Sequence, residues 1–268
     1  MTDAYYELVD ADDPLGERFA ASDHVVSTWG SHMQNAAPVS ALLVRAVERC
    51  AARPDTRISR VLVDLLGAVP VGDRLWVRAQ VRRPGRQIEL IGAEMLAPGP
   101  DGAPRPVATA SAWRFSRTDA DDLPETPVEP MRPVGEGRSR LPDDGAAQTY
   151  IQSLDWRWLN DILNSVQAEC WARPLVGLVA GEPMTPVQRL FAVADIANGM
   201  GSRLEPSAWT FLNTDLAVHI HREPEGEWVG VRAENHYGRD GVGTSKGTLF
   251  DESGPVAAIQ QAQLVRRR

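Results

Sequence analysis

Val61-Leu62-Val63-Asp64-Leu65 opens a run of strand-like segments that closes on Ala112-Trp113-Arg114-Phe115, and Asn213-Thr214-Asp215-Leu216 opens a second that closes on Gln261-Ala262-Gln263-Leu264-Val265. Each run follows a helical stretch, Pro38 to Ala51 in the first half and Pro186 to Asn198 in the second. A helix followed by a long antiparallel meander, present twice, predicts an α+β chain built by duplication of one unit. Pro38 and Pro186 suit a first helical turn, where the missing N–H costs nothing. The first helix is largely apolar through Ala41, Leu42, Val44, Ala46 and Val47, with Arg45, Glu48 and Arg49 expected on the opposite side. The second is expected to end at Asn198-Gly199 in a left-handed cap.

Outside these blocks the same reading predicts short strands at Tyr5–Val9, His24–Ser27, Tyr150–Trp158 and Ala168–Ala172. Turns fall at Pro84-Gly85-Arg86, Gly99–Gly102, Asp240-Gly241 and Glu252–Gly254, and Leu75–Val81 alternates as a half-buried strand should. Residues 119–146 are rich in Pro, Asp, Glu and Gly and cannot bury a core of their own. They divide the chain into an N-terminal unit, 1–118, a linker, 119–146, and a C-terminal unit, 147–268.

Composition sets limits on function. The chain has 268 residues, 43% hydrophobic and 24% charged, as ordinary globular proteins have. A formal charge of −8 argues against a nucleic-acid partner, which needs a basic face. Cys50 and Cys170 have no disulfide or metal-type spacing. The N-terminal residues lack the basic and apolar regions of a secretory signal, and no apolar run approaches the ~18 residues of a membrane span. A cytoplasmic setting is the expectation.

The motifs Trp29-Gly30-x-x-Met33-Gln34-x-x-x-Pro38, Leu190-x-x-x-Ala194-Asp195-x-x-Asn198-Gly199, Phe211-Leu212-Asn213-Thr214-Asp215-Leu216, His219-x-His221-Arg222 and the closing Gln261 resemble, in this order, the thioesterase-like superfamily, in particular proteins of the acyl-CoA thioesterase II type. The resemblance implies a double hotdog, two tandem units each with an antiparallel sheet wrapped around a long helix. It implies hydrolysis of a fatty or related acyl-CoA to free acid and coenzyme A, without metal or redox cofactor. It also implies that Asp195, Asn213 and Gln261 bind the attacking water. The chain departs from the pattern twice. Asn35-Ala36-Ala37 stands where many relatives have His-Gly-Gly, and Asn213 stands where the enzyme of comparison has Thr, with Thr214 one residue along. Neighbouring strand residues face opposite sides, so only one of Asn213 and Thr214 can point at Asp195.

The residues themselves support part of this. Asp195 lies four residues after Phe191 and eight after Val187, on the apolar stripe of a helix. A carboxylate there either satisfies neighbouring donors or reaches a cleft, where it can accept a proton from water. Gln261 and Gln263 share one strand face, which is either solvent-facing or part of a site. His219 and His221 are two metal-type side chains without a third at suitable spacing. There is no Gly-x-Ser-x-Gly elbow, so a covalent acyl-enzyme is disfavoured. Met33, Gln34 and Asn35, ahead of the first helix, and Arg82 and Arg86, at a turn, are the candidate substrate-binding residues; such arginines, with Arg83 and Arg266–Arg268, suit the phosphates of coenzyme A. Trp29, Met33, Trp156, Trp158 and Trp171 are candidates for an acyl-binding wall or for core. Two other functions share the fold: a non-catalytic acyl-CoA binding protein, and an enoyl-thioester hydratase, which pairs an acid with a nearby His that Asp195–Ser202 lacks. Exposed sheet edges and faces predict a homo-oligomer.

Overall fold

The structure, a computed structural model, describes residues 3–120, 122–124, 127–139, 150–161 and 163–268. In chain order the elements are β1 (Ala4–Asp10), β2 (Glu17–Ala21), β3 (Val26–Ser27), β4 (Gly30–Gln34), α1 (Ala36–Arg49), β5 (Thr56–Leu65), β6 (Leu75–Arg83), β7 (Ile88–Pro98), β8 (Pro104–Ser116), β9 (Leu154–Trp158), β10 (Ala168–Pro174), β11 (Gly177–Val179), α2 (Pro186–Ala194), α3 (Ala197–Met200), β12 (Trp209–Asn213), β13 (Asp215–Ile220), β14 (Val229–Tyr237), β15 (Val242–Asp251) and β16 (Gly254–Arg267).

Among the described residues, 14 strands join one sheet in the order β11-β1-β2-β6-β7-β8-β5-β13-β16-β15-β14-β10-β9, with β12 also paired to β16. Every pairing is antiparallel except β1 with β11. The two meanders meet at β5 and β13, where Asp64 lies opposite Asp215 and Val63 opposite Leu216. Strand β16 alternates strictly, with Ile259, Gln261, Gln263 and Val265 buried and Ala258, Gln260, Ala262 and Leu264 exposed. Period-two burial of this kind fixes which side of the sheet meets the helices.

Helix α1 packs against β5–β8, α2 against β10 and β14, and the two helices pack on each other, so a single apolar core runs through both. Asn35 caps α1, its side chain accepting from the Ala37 N–H at 2.9 Å. The helix ends at Arg49, short of Ala51, which takes a left-handed φ of 43°. Arg114 closes this end: it donates to the carbonyls of Cys50 and Ala51 at 3.0 and 2.8 Å while paired with buried Glu89. Arg45 is not on a solvated side. It is 1% exposed and bonded to Glu17 and Glu182, because a helix enclosed all round has no water-facing stripe to offer it.

Three further expectations change. His24–Ser27 is a single 3-10 turn, Asp23–Val25, followed by the two residues of β3. Tyr150–Ser153 is likewise a 3-10 turn, and the strand begins at Leu154. The segment 127–139 does bury apolar surface. Met131 joins Leu159, Trp171 and Phe250 in a small cluster, and the carbonyls of Glu129 and Pro130 accept from Arg232 at 2.8 and 3.0 Å. Pro142-Asp143-Asp144-Gly145, also read as linker, lies outside the described residues.

Candidate active site

Thr185 starts α2 through a capping box: its hydroxyl accepts from the Gln188 N–H at 3.1 Å, and the Gln188 side chain returns to the Thr185 N–H. The helix does not run on to Asn198. It ends at Ala194, the N–H groups of Asp195 and Ile196 both turn to the Val193 carbonyl, and the chain resumes as the single turn α3. Gly199 therefore lies inside α3, and its φ is not in the left-handed region. Two contacts seat α3 on β14. Asn235 donates to the Asn198 carbonyl at 2.7 Å, and Gly201 lies so close that a Cβ there would sit 2.5 Å from Asn235 Oδ1 and 2.9 Å from the Glu234 carbonyl carbon.

Asp195 occupies this break, 4% exposed and facing the sheet. Asn213 on β12 donates to its Oδ1 at 2.7 Å, and Gln261 on β16 donates to the same oxygen at 2.9 Å. Asn198 donates to Asn213 Oδ1 at 3.1 Å, which orients the Asn213 amide with its NH2 toward the carboxylate. Oδ2 of Asp195 has no hydrogen-bond partner among the described residues. Burial raises the Asp195 pKa from 3.8 to about 6; the bonds from Asn213 and Gln261 pull it down, and the nearby Asp215 charge pushes it up. A carboxylate tuned to near neutrality, held by one oxygen with the other open, can accept a proton from a water molecule.

The second half of the chain, residues 120–265, matches the family described as the acyl-CoA thioesterase C-terminal domain, and residues 25–115 match its N-terminal domain. The chain belongs to the acyl-CoA thioesterase family. Solved structures agree on the fold. A candidate thioesterase II from Thermobifida fusca is 18% identical, with 100% of this chain and 98% of that one covered and a TM-score of 0.76. A protein of unknown function with a hot dog fold from Alicyclobacillus acidocaldarius is 14% identical, with 95% and 94% covered and a TM-score of 0.75. The acyl-CoA thioesterase II TesB2 from Mycobacterium marinum is 14% identical, with 98% and 96% covered and a TM-score of 0.68. The fold is therefore a hotdog fold. No curated protein matches the chain.

Within this thioesterase fold the other candidate residues have different placements. Thr214 is exposed between β12 and β13, and only its backbone is engaged, with Leu65 and Ala262. Gln34 is buried between the Tyr6 hydroxyl, which donates to it at 2.7 Å, and the Pro70 carbonyl, to which it donates at 2.7 Å. Asn35 is the cap of α1, and Met33 bridges to Pro70. None of these supplies a bond to Asp195. Arg82 and Arg86 lie at the β6–β7 turn; Arg82 lines a groove of about 330 Å³ with Arg78, Gln80 and Glu94, and the Arg86 carbonyl accepts from Arg53. A second concavity of about 270 Å³ lies between Arg173, Met184 and Glu227, and neither is lined by Asp195. Trp156 is core, stacked on Trp158 at 5.0 Å, and Trp171 belongs to the Met131 cluster. Trp29 crosses from the β3–β4 connection to meet Phe211 edge-on at 4.9 Å. Arg267 lies over Trp209 and Arg268 over Trp29. His219 and His221 are exposed, and His221 contacts the Pro255 carbonyl. Among the described residues no group of three His, Cys, Asp or Glu could hold a metal ion, and no helix is long and apolar enough to cross a membrane.

Sequence reasoning missed Asn198 as a site residue, although its place three residues after Asp195 puts both on one helical face. It also missed Asn235 and Ser245, which fall at inward positions of β14 and β15. Polar residues interrupting an inward Val229, Val231, Ala233 series were the available signal.

Proposed function

We propose that the protein hydrolyses acyl-CoA thioesters. Asp195 is the general base, and Asn213 and Gln261 hold its carboxylate in place beside the attacking water. The observation that carries this reading is the two amide donors on one oxygen of a buried Asp whose pKa lies at about 6. A base near neutral pH is largely ionised at working pH yet still able to take a proton in the transition state. In this reading Oδ2 accepts the proton, and backbone N–H groups at a helix start polarise the thioester carbonyl. Asn213 replaces the hydroxyl expected from relatives and supplies a donor only to Asp195 and the Asp215 carbonyl, so Gln261 is left as the more direct water-orienting group.

The architecture fits a double hotdog, with 1–118 and 147–268 as the two units, 119–146 between them, and copies of the chain associating. The repeated helix-then-meander order, with Asp64 facing Asp215 at the junction, supports this reading. Hydrolysis is tested by following thiol release from acyl-CoA substrates of several chain lengths with wild type and Asp195→Asn. The expected result is a loss of about 10²–10⁴-fold in the variant with binding retained. Wild-type rates in a folded Asp195→Asn would remove Asp195 from the reaction. Binding without turnover in the wild type would instead favour the acyl-CoA binding reading.

A further inference from the structure

Beside Asp195 lie buried polar atoms without partners, and those of Ser245 and Gln263 have no part in the reading above. Ser245 Oγ, Gln261 Oε1 and both the Oε1 and Nε2 of Gln263 have no hydrogen-bond partner among the described residues. They belong to neighbouring positions of one surface. Ser245 lies opposite Gln261 across β15 and β16, while Gln263 lies opposite Gly243 on β15 and Asn213 on β12. Ser245, Gln261 and Gln263 are at most 3% exposed, and α3 packs over these strands. Gly243 leaves room for the Gln263 carboxamide, since a Cβ there would meet its Oε1 and the Tyr237 ring at 3.0 Å each.

Desolvated amides and hydroxyls without partners are a net cost to folding, and they persist where something other than the chain satisfies them. In the first half the buried face of β8 carries Ala108, Ala110, Ala112 and Arg114, the last paired with Glu89, and the unpartnered buried atoms there, Ser40 Oγ, Arg60 Nε and Trp76 Nε1, lie on three separate elements, α1, β5 and β6. The patch is neutral, and each side chain in it can both donate and accept. A hydroxyl or a ketone meets that set, whereas a carboxylate would face Asp195. Gln263 is one strand repeat beyond Gln261, roughly 7 Å along the strand. A group bound there lies a few carbons from a thioester whose water is held at Asp195.

We infer that the acyl group taken by this site carries a neutral oxygen, hydroxyl or keto, a few carbons from the thioester carbon, and that Gln263 and Ser245 bind it. The inference rests on the hydrolase reading of Asp195 for the position of the thioester.

The test compares hexanoyl-CoA, 3-hydroxyhexanoyl-CoA and 5-hydroxyhexanoyl-CoA by kcat/KM in the wild type and by calorimetric binding to Asp195→Asn. At least one hydroxylated substrate is expected to be favoured by about 3–10-fold over hexanoyl-CoA, the range of one net hydrogen bond. Gln263→Leu and Ser245→Ala, two independent variants, are each expected to bring that ratio toward one. Equal values for all three substrates, or a ratio that neither folded variant changes, would overturn the inference and leave the patch to ordered water. Preferential binding of a hydroxylated substrate without hydrolysis would uphold it while removing the hydrolase reading. Hydrolysis without preference would do the reverse.

Discussion

Asp195 carries opposed demands that pH can separate. Burial raises its pKa to about 6 from 3.8, so the folded protein holds the proton more tightly than the unfolded chain does. The stabilising contribution of the protonated group is fully present below about pH 4 and is lost as pH rises through about 6. Above that the fold holds a buried charge, at a cost of up to about 3 kcal/mol. Asp195→Asn keeps an oxygen to accept from Asn213 and Gln261 and removes the charge. We expect it to unfold at higher urea than wild type at pH 8, with the difference vanishing at pH 4; equal or lower stability at pH 8 would show that the carboxylate holds the helix break in place. Wild-type kcat/KM should rise with pH through a midpoint of about 6 and then level off. Asp195 was legible in the sequence because helical spacing places it on an apolar stripe. The family resemblance singled out Gln261, but periodicity showed Gln261 and Gln263 only as a pair sharing a face, since alternation tells which residues go together and not which side is inside. Choosing Asn213 over Thr214 needed the bend between β12 and β13, which no local pattern announces.

At the scale of elements, α1 and α2 are two uses of one position. Arg45 and Asp195 each stand ten residues after their helix caps, Asn35 and Thr185. Arg45 donates to Glu17 on β2 at 2.8 Å and to Glu182, just ahead of α2, at 2.7 Å, and its guanidinium lies 5.3 Å from the centre of the Phe19 ring. It therefore ties the start of α2 to the first half. Glu48 adds a second tie, accepting from the Thr185 hydroxyl at 2.9 Å and from the Gln188 amide at 2.6 Å. Arg45→Met should lower stability by about 3 kcal/mol, because it removes the buried cation from Glu17 and Glu182 and leaves them only the half-exposed Arg49. Arg78→Met, which breaks the half-exposed pair with Glu94, should stay within about 1 kcal/mol. Chemical denaturation of both variants checks the contrast, and similar losses would mean that the buried cluster adds nothing. The sequence showed the strands of both meanders because their residues alternate. It did not show the break between α2 and α3, because that break is imposed by contacts with β14 and not by a residue that resists helix.

At the scale of the whole molecule, the sheet has little open edge. Among the described residues its edge strands are β9, β11 and β12, of five, three and five residues. Only Leu175 and Val176 separate β10, the neighbour of β9, from β11, so the two ends of the sheet are brought together around the helices. The Gly177 and Ala180 N–H groups donate to the Asp3 and Tyr6 carbonyls and fasten that closure. Edge pairing between copies, one basis for expecting an oligomer, is thus poorly served. The outer face remains. At its centre Leu62 lies opposite Ala217 across β5 and β13, flanked by Ser111 on β8 and Gln260 on β16, short or uncharged side chains that a second copy could cover. Asp64 and Asp215 sit one row along, and their proximity, after burial, helps hold the Asp215 pKa above its ordinary value. If association uses this face, sedimentation at micromolar concentration should give a mass above 29.3 kDa. Ala217→Glu should then shift the mass toward the monomer, since it adds a third carboxylate beside those two in a buried contact. Val242→Glu, at an exposed site at the start of β15 and away from this centre, should leave the mass unchanged. A monomer at every concentration would remove the interface, while an oligomer indifferent to Ala217→Glu would place it elsewhere on the surface.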